Sequence, residues 1–178
     1  MHPQPAKMNT DTIFSSLQRI SDAYNHKLQS ISDAQFQTTP AIGGWSYSEV
    51  YAHIFDASLL SLQAMEDCLN GKGKDKPTAF AVKLVLFFGA LPPGRYKIPK
   101  QLEGRAKVIT KKEAQDLIGQ FKKQLEAGYK QIPRARDNVK FKHPKLGYLN
   151  AQQWLRFTEI HLRHHLKQLH RIEKSFSR

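Results

Sequence analysis

Two histidines four residues apart, His161 and His165, stand in the stretch Trp154-Leu-Arg-Phe-Thr-Glu-Ile-His161-Leu-Arg-His164-His165-Leu-Lys-Gln168-Leu169. At about 100° per residue, with His161 as zero, Trp154, Thr158, His165, Leu169, Ile172 and Phe176 all fall between roughly 0° and 80°. Both imidazoles therefore sit in the apolar stripe of an amphipathic helix, with Arg156, Arg163, Lys167, Arg171 and Lys174 opposite. Two imidazoles at i and i+4 are how one helix offers two nitrogens to a divalent cation. The competing reading is a pair of core histidines, each hydrogen-bonded to a neighbouring helix. A third donor elsewhere has to decide between them. His164 points to the edge of the stripe.

A second buried-face imidazole pattern lies upstream. In the helix that carries Val50, Ile54, Ala57, Leu60, Ala64 and Met65, His53 falls among the apolar positions. Glu49 lies one turn before it and Asp56 one turn after, either of which could orient the ring. The plainer roles are a helix cap for Glu49 and a solvated edge for Asp56. Cys68 cannot share an ion with His53, because fifteen residues of helix span about 22 Å; it reads as core packing. His26 is a lone ring on the first helix, and His143, before Pro144, reads as exposed in a loop.

The elements that must position these rings are legible from their ends. Thr10 or Asp11 can cap a first helix carrying Ile13, Phe14, Leu17, Ile20, Tyr24, Leu28 and Ile31. Ser46-Tyr-Ser-Glu49 is a capping box for the second, with Trp45 placed to staple onto Val50. Thr110 with Glu113 opens the third, which carries Ala114, Leu117, Ile118, Phe121 and Leu125 to about Ile132, where Pro133 stops it. Residues 134–150 read as a loop, with Asn150 capping the fourth helix. Between the second and third lies a long connection holding the apolar segment Ala79 to Leu91, long enough to cross over rather than turn straight back. That segment could form a lid over one end of the bundle, a dimer interface or a membrane contact; the lid is the reading favoured here.

Composition narrows the classes. The chain has 178 residues, 40% of them hydrophobic, which suits one domain (10–178) behind a loose tail (1–9). No apolar run approaches the roughly 20 residues a membrane span needs. The start lacks the apolar core of a signal peptide, and the single cysteine precludes an internal disulfide, so a cytoplasmic protein is expected. The net charge of +13 permits nucleic acid or an anionic substrate as partner. Nucleic acid is disfavoured, because no recognition motif is present and the aromatics follow helix-core spacing. No phosphate loop, nucleophile elbow or Cys-x-x-Cys pair occurs. The chemistry lies with histidine.

Neighbouring helices in a bundle run about 8–10 Å apart, so inward rings at His53, His161 and His165 can converge on one ion. Three protein nitrogens leave coordination positions free, as a catalytic metal requires. The segments Gly44-Trp45-Ser46-Tyr47-Ser48-Glu49-Val50-Tyr51-Ala52-His53-Ile54, His143-Pro144-Lys145-Leu146-Gly147 and His161-Leu-Arg-His164-His165-Leu-Lys-Gln168-Leu169 together resemble the DinB-like superfamily, also called the YfiT-like metal-dependent hydrolases. The likeness covers most of the chain, including Ile98-Pro99-Lys100. It implies an all-α four-helix bundle with an up-down-down-up course and a long crossover between helices two and three. It also implies a three-histidine divalent site at His53, His161 and His165, with zinc or nickel the expected ion. Glu49, Asp56, His164 and Gln168 are candidates to support the ligands from behind or at the rim.

Activities in the wider family include metal-dependent transfer or isomerisation with low-molecular-weight thiols such as bacillithiol and mycothiol. The resemblance thus implies a small-molecule substrate, with the ion activating either such a thiol, as an S-transferase, or water, as a hydrolase. No general base can be named. The alternative is a stress-related bundle that holds metal or ligand without turnover. A homodimer through the apolar segment is a further expectation.

Overall fold

The computed structural model describes residues 9–41, 43–92 and 107–176. Most of the N-terminal tail, Pro93-Gly94 and the Ile98-Pro99-Lys100 part of the crossover lie outside the described residues. The helices are α1 (Thr10–Ser30), α2 (Asp33–Gln37), α3 (Tyr47–Leu69), α4 (Phe80–Phe88), α5 (Lys111–Tyr129) and α6 (Ala151–Phe176). A 3-10 turn at Ile132–Arg134 follows α5. A hairpin of β1 (Lys140–His143) and β2 (Gly147–Asn150) precedes α6. The long helices α1, α3, α5 and α6 form the bundle.

Local chemistry sets the helix starts. Ser46 and Glu49 form the expected reciprocal cap on α3, as do Thr110 and Glu113 on α5. Asn150 Oδ1 accepts from Gln153 N at 2.9 Å while Gln153 Oε1 accepts from Asn150 N at 3.0 Å, an amide version of the same box. The α1 cap is Asn9 rather than Thr10 or Asp11: its Oδ1 accepts from the backbone N–H of Asp11 and Thr12, both at 3.1 Å. Thr10 and Asp11 already lie within the helix. The third long helix also ends earlier than Ile132, at Tyr129, because Pro133 allows only the short 3-10 turn beyond it.

Cross-ties give the direction of each helix. Lys111 at the start of α5 donates to Ile31 O at the end of α1 (2.6 Å), and Tyr129 near the end of α5 donates to Asp11 (2.7 Å), so these two run antiparallel. Ser48 Oγ is bonded to both the O and N of Ile109, and Met65 lies over Gly128, so α3 and α5 run parallel. Tyr47 stacks on Phe176 at 5.9 Å, and Cys68 Sγ donates to Leu149 O at 3.5 Å, so α3 and α6 run antiparallel. Lys27 pairs with Glu173, and Ser16 accepts from Arg163, so α1 and α6 run parallel. The course is up-down-down-up. Because α3 and α5 are parallel neighbours, the connection over 70–110 has to return the length of the bundle.

The core is aromatic. Tyr24, Tyr51, Phe36, Phe55 and Phe121 are fully buried, with Tyr24 and Phe55 edge to face at 5.3 Å. Tyr24 Oη donates to Leu162 O (2.8 Å) and Tyr51 Oη to Tyr24 O (2.7 Å), so both buried phenols are satisfied. Burial pushes both phenols upward from their ordinary pKa, and they stay neutral.

Two sequence expectations change. The loop expected over 134–150 contains the hairpin, held from outside by a Lys74–Lys140 bridge and by Thr78 donating to Tyr148 O at 2.9 Å. Gly147 makes its turn at φ +76, a conformation that costs glycine little. The basic side of α6, which an amphipathic pattern turns to solvent, is also partly covered. Glu159, only 2% exposed, is paired with Arg156 and Arg163, and Arg156 Nε donates to Leu86 O at 3.0 Å, fastening α4 onto α6. Val82 and Leu86 are the buried side of α4, while Phe80, Leu84, Phe87 and Phe88 are exposed. Among the described residues no helix is long and apolar enough to cross a membrane.

Candidate metal centre

Helix α3 carries His53 and helix α6 carries His161 and His165, and the antiparallel packing of these two helices brings the three rings together. Ring centroids lie 5.0 Å apart for His53 and His165, 5.6 Å for His53 and His161, and 4.7 Å for His161 and His165. One ring nitrogen from each lies within 4.8 Å of the others. His161 Nε2 and His165 Nε2 are 3.1 Å apart. Two nitrogens bound to one ion at 2.0–2.1 Å are about 2.8–3.4 Å apart, depending on whether the coordination angle is octahedral or tetrahedral. The observed pair matches the edge of such a polyhedron, and an all-imidazole set suits zinc or nickel better than calcium or magnesium.

The surroundings keep the rings neutral and fixed. His53 is buried, and its ring meets Trp45 edge-on at 5.0 Å. Burial lowers its pKa, partly opposed by the charge of Asp56. His161 is held well below its ordinary value by burial first and then by the neighbouring imidazoles. His165 is pushed down to about 3, mainly by burial and next by His53. A neutral imidazole has a lone pair to give, so at neutral pH protons do not compete for these nitrogens. Phe157 stacks on His161 at 5.5 Å with planes 14° apart.

The supporting candidates separate clearly. Gln168 Oε1 is 2.7 Å from His165 Nδ1; accepting the Nδ1–H there leaves Nε2 as the bare nitrogen facing His161. His164 lies at the rim, half-buried, with its ring 5.2 Å from that of His165. The Glu49 carboxylate is taken up by Ser46, whose N and Oγ donate to it at 2.8 and 2.9 Å, so it caps α3. Asp56 acts on His53 through its charge without a hydrogen bond to the ring, and it borders a cleft with Leu59, Gln63 and Gln124.

One residue near the site was missed. His143 is half-buried rather than exposed, its ring 4.7 Å from Phe157 and 5.4 Å from Trp154. The available signal was alternation: Val139, Phe141 and His143, then Gly147-Tyr-Leu-Asn, flank a proline-containing turn. His26 stays apart from the cluster, and Cys68 is core, its thiol pushed up to about 11 chiefly by burial.

Comparison with known proteins places this arrangement. YfiT from Bacillus subtilis, described as a probable metal-dependent hydrolase with an unusual four-helix bundle topology, superimposes with a TM-score of 0.65 over 99% of this chain and 93% of its own, at 13% identity. The four-helix bundle protein TT2238 gives 0.57 over 91% of this chain and 98% of its own, at 18% identity. In sequence, the uncharacterized protein YuaE of Bacillus subtilis strain 168 is 22% identical over 153 residues, 86% of this chain and 92% of that protein. The DinB superfamily family model matches residues 16–169, a span that contains all three clustered histidines, and the chain therefore belongs to the DinB superfamily.

Proposed function

We propose that His53, His161 and His165 hold one divalent ion, zinc or nickel, and that the protein is a metal-dependent enzyme acting on a small molecule, in the first instance a hydrolase. The observation that carries this reading is the grouping of three neutral imidazole nitrogens from two helices, two of them 3.1 Å apart. The likeness to YfiT, itself described as a probable metal-dependent hydrolase, supports the same class. When bound, such an ion lowers the pKa of a ligated water or thiol enough to supply a nucleophile near neutral pH.

The chain's own residues do the rest. Gln168 selects the tautomer in which His165 keeps Nε2 free. Trp45 and Phe157 limit rotation of His53 and His161 and keep bulk water from one side of the cluster. Three protein donors leave room for both a nucleophile and a substrate atom. A thiol-dependent transferase is the second reading. The net charge of +13 favours it, since it would draw in an anionic thiol.

The test begins with metal analysis of untagged protein, wild type against a His53→Ala/His161→Ala double variant. One ion per wild-type chain and none in the double variant are expected; a stoichiometric ion in the double variant overturns the assignment. An ester, amide and lactone panel, then thiol conjugation with and without Zn²⁺ or Ni²⁺, separates hydrolase from transferase. Absence of turnover in both identifies a storage or binding protein.

A further inference from the structure

The hairpin brings a histidine to the edge of the site in a defined state. His143 ends β1, and in the turn that follows its Nδ1 accepts from the backbone N–H of Lys145 at 3.1 Å and of Leu146 at 3.0 Å. Two donors aimed at Nδ1 require a lone pair there, so the neutral ring carries its hydrogen on Nε2. Burial, helped by the Lys145 charge, pushes the His143 pKa down to about 4, which keeps the ring neutral in use. No acceptor for Nε2–H is present among the described residues.

Its position links it to the cluster. The His143 ring packs edge-on against Phe157, which also stacks on His161, so one ring separates His143 from the cluster. Beside it, the indole Nε1–H of Trp154 is buried and has no hydrogen-bond partner among the described residues. The buried indole offers no donor a ligand can reach, so the N–H of this wall that suits an oxygen is the Nε2–H of His143.

We infer that His143 Nε2–H forms a subsite for an acceptor oxygen of the substrate, a carbonyl or carboxylate, beside the three-imidazole cluster. The inference rests on the reading of that cluster as a metal centre. It deepens that reading by naming the substrate as one that carries such an oxygen next to the atom under attack. His143 would orient that oxygen and stabilise negative charge building on it, without itself giving up a proton.

Two measurements test the subsite. Imidazole ¹⁵N–¹H correlation spectra of the metal-free protein are expected to show His143 protonated at Nε2 and bare at Nδ1; the opposite tautomer overturns the proposal. Cobalt-loaded wild type, His143→Phe and His143→Gln are then titrated with acetate, read by the visible cobalt bands, with imidazole as a ligand lacking oxygen. Acetate is expected to bind about tenfold more weakly to His143→Phe, the loss of one hydrogen bond to a charged acceptor. The glutamine variant, which keeps an N–H donor, should recover most of that affinity, and imidazole should bind all three alike. Equal acetate affinity in cobalt-loaded wild type and His143→Phe overturns the subsite and leaves the metal centre standing. Failure of wild type to take up cobalt removes both.

Discussion

Gln168→Leu is the sharpest probe of how the candidate centre is held. The leucine nearly matches glutamine in volume but cannot accept the His165 Nδ1–H, now 2.7 Å from Gln168 Oε1. Without that bond His165 can switch tautomer, which puts a proton on Nε2, or turn, which takes Nε2 out of line with His161 Nε2, 3.1 Å away. Losing an outer partner of a ligating histidine typically weakens metal affinity 10- to 100-fold, or about 1.4–2.8 kcal/mol. Competition from protons cannot account for such a loss. The Gln168 hydrogen bond raises the His165 pKa, so its removal makes the ring harder to protonate. The weakening would therefore report orientation and donor strength. Zinc competition against a chromophoric chelator at pH 7.5, with circular dichroism as a check on folding, gives the number. Gln168→Glu, with a charged acceptor, is expected to bind at least as tightly as wild type. If Gln168→Leu stays within twofold of wild type while His165→Ala loses the ion, Gln168 plays no part in holding the ligand.

Other perturbations probe the frame around the site. Glu159→Gln leaves Arg156 and Arg163 without their carboxylate at a residue only 2% exposed. Because Arg163 is partly solvated, a loss of about 2–3 kcal/mol is expected, short of the 3–5 of a fully buried pair, and urea denaturation measures it. Tyr24→Phe removes the cross-helix bond to Leu162 O, which keeps its intrahelical partner, and should cost about 1 kcal/mol of stability in the same assay. Acid should destabilise the metal-free protein well above the carboxylate range. His143 and His165 have folded pKa values of about 4 and about 3, against an ordinary 6.5, so the unfolded chain binds more protons as pH falls below 6.5. Their stabilisation is complete above pH 6.5 and drains away down to pH 3–4, with about 2 kcal/mol lost per ring by pH 5. A urea midpoint unchanged between pH 7.5 and pH 5 would contradict this.

The sequence reveals what is local. The reciprocal caps at Ser46 with Glu49 and Thr110 with Glu113 depend on side chains three apart, so their spacing alone places the starts of α3 and α5. Angular arithmetic along one helix also puts His161 and His165 on one face and His53 among apolar neighbours. It does not say that α3 and α6 are antiparallel partners; that came from family resemblance and is seen here in the Tyr47–Phe176 and Cys68–Leu149 contacts. What was illegible is non-local. The hairpin is short, lysine-rich and held by Lys74 and Thr78 from far upstream, so residues 134–150 read as a plain loop. The Arg156–Glu159–Arg163 group looked like a solvated face because no periodicity places α4 over it. His143 was misjudged for the same reason, since its burial comes from Phe157 and Trp154 in another element.

The contacts at the two ends of the α3–α6 pair also fix the height of the cluster. Tyr47 at the start of α3 stacks on Phe176 at the end of α6, while Cys68 near the other end of α3 reaches Leu149 just before α6. Counted from the Cys68–Leu149 anchor, His53 lies fifteen residues back along α3 and His161 and His165 lie twelve and sixteen residues on, so nearly equal rise brings the three rings to one level. The nitrogen donors thus belong to the rigid frame, and a slip of one helical turn would need both anchors to break. The groups beside the donors come from elsewhere: Trp45 from the segment before α3, and His143 from the hairpin turn. Loops tolerate change far better than packed helices do, so on the proposed reading substrate preference can be altered at His143, which touches none of the three donors, whereas Trp45 packs on His53 and would move it. If the cluster holds a metal as proposed, a site divided in this way can keep that chemistry constant while the molecule presented to it changes, and shared fold alone therefore does not fix the reaction.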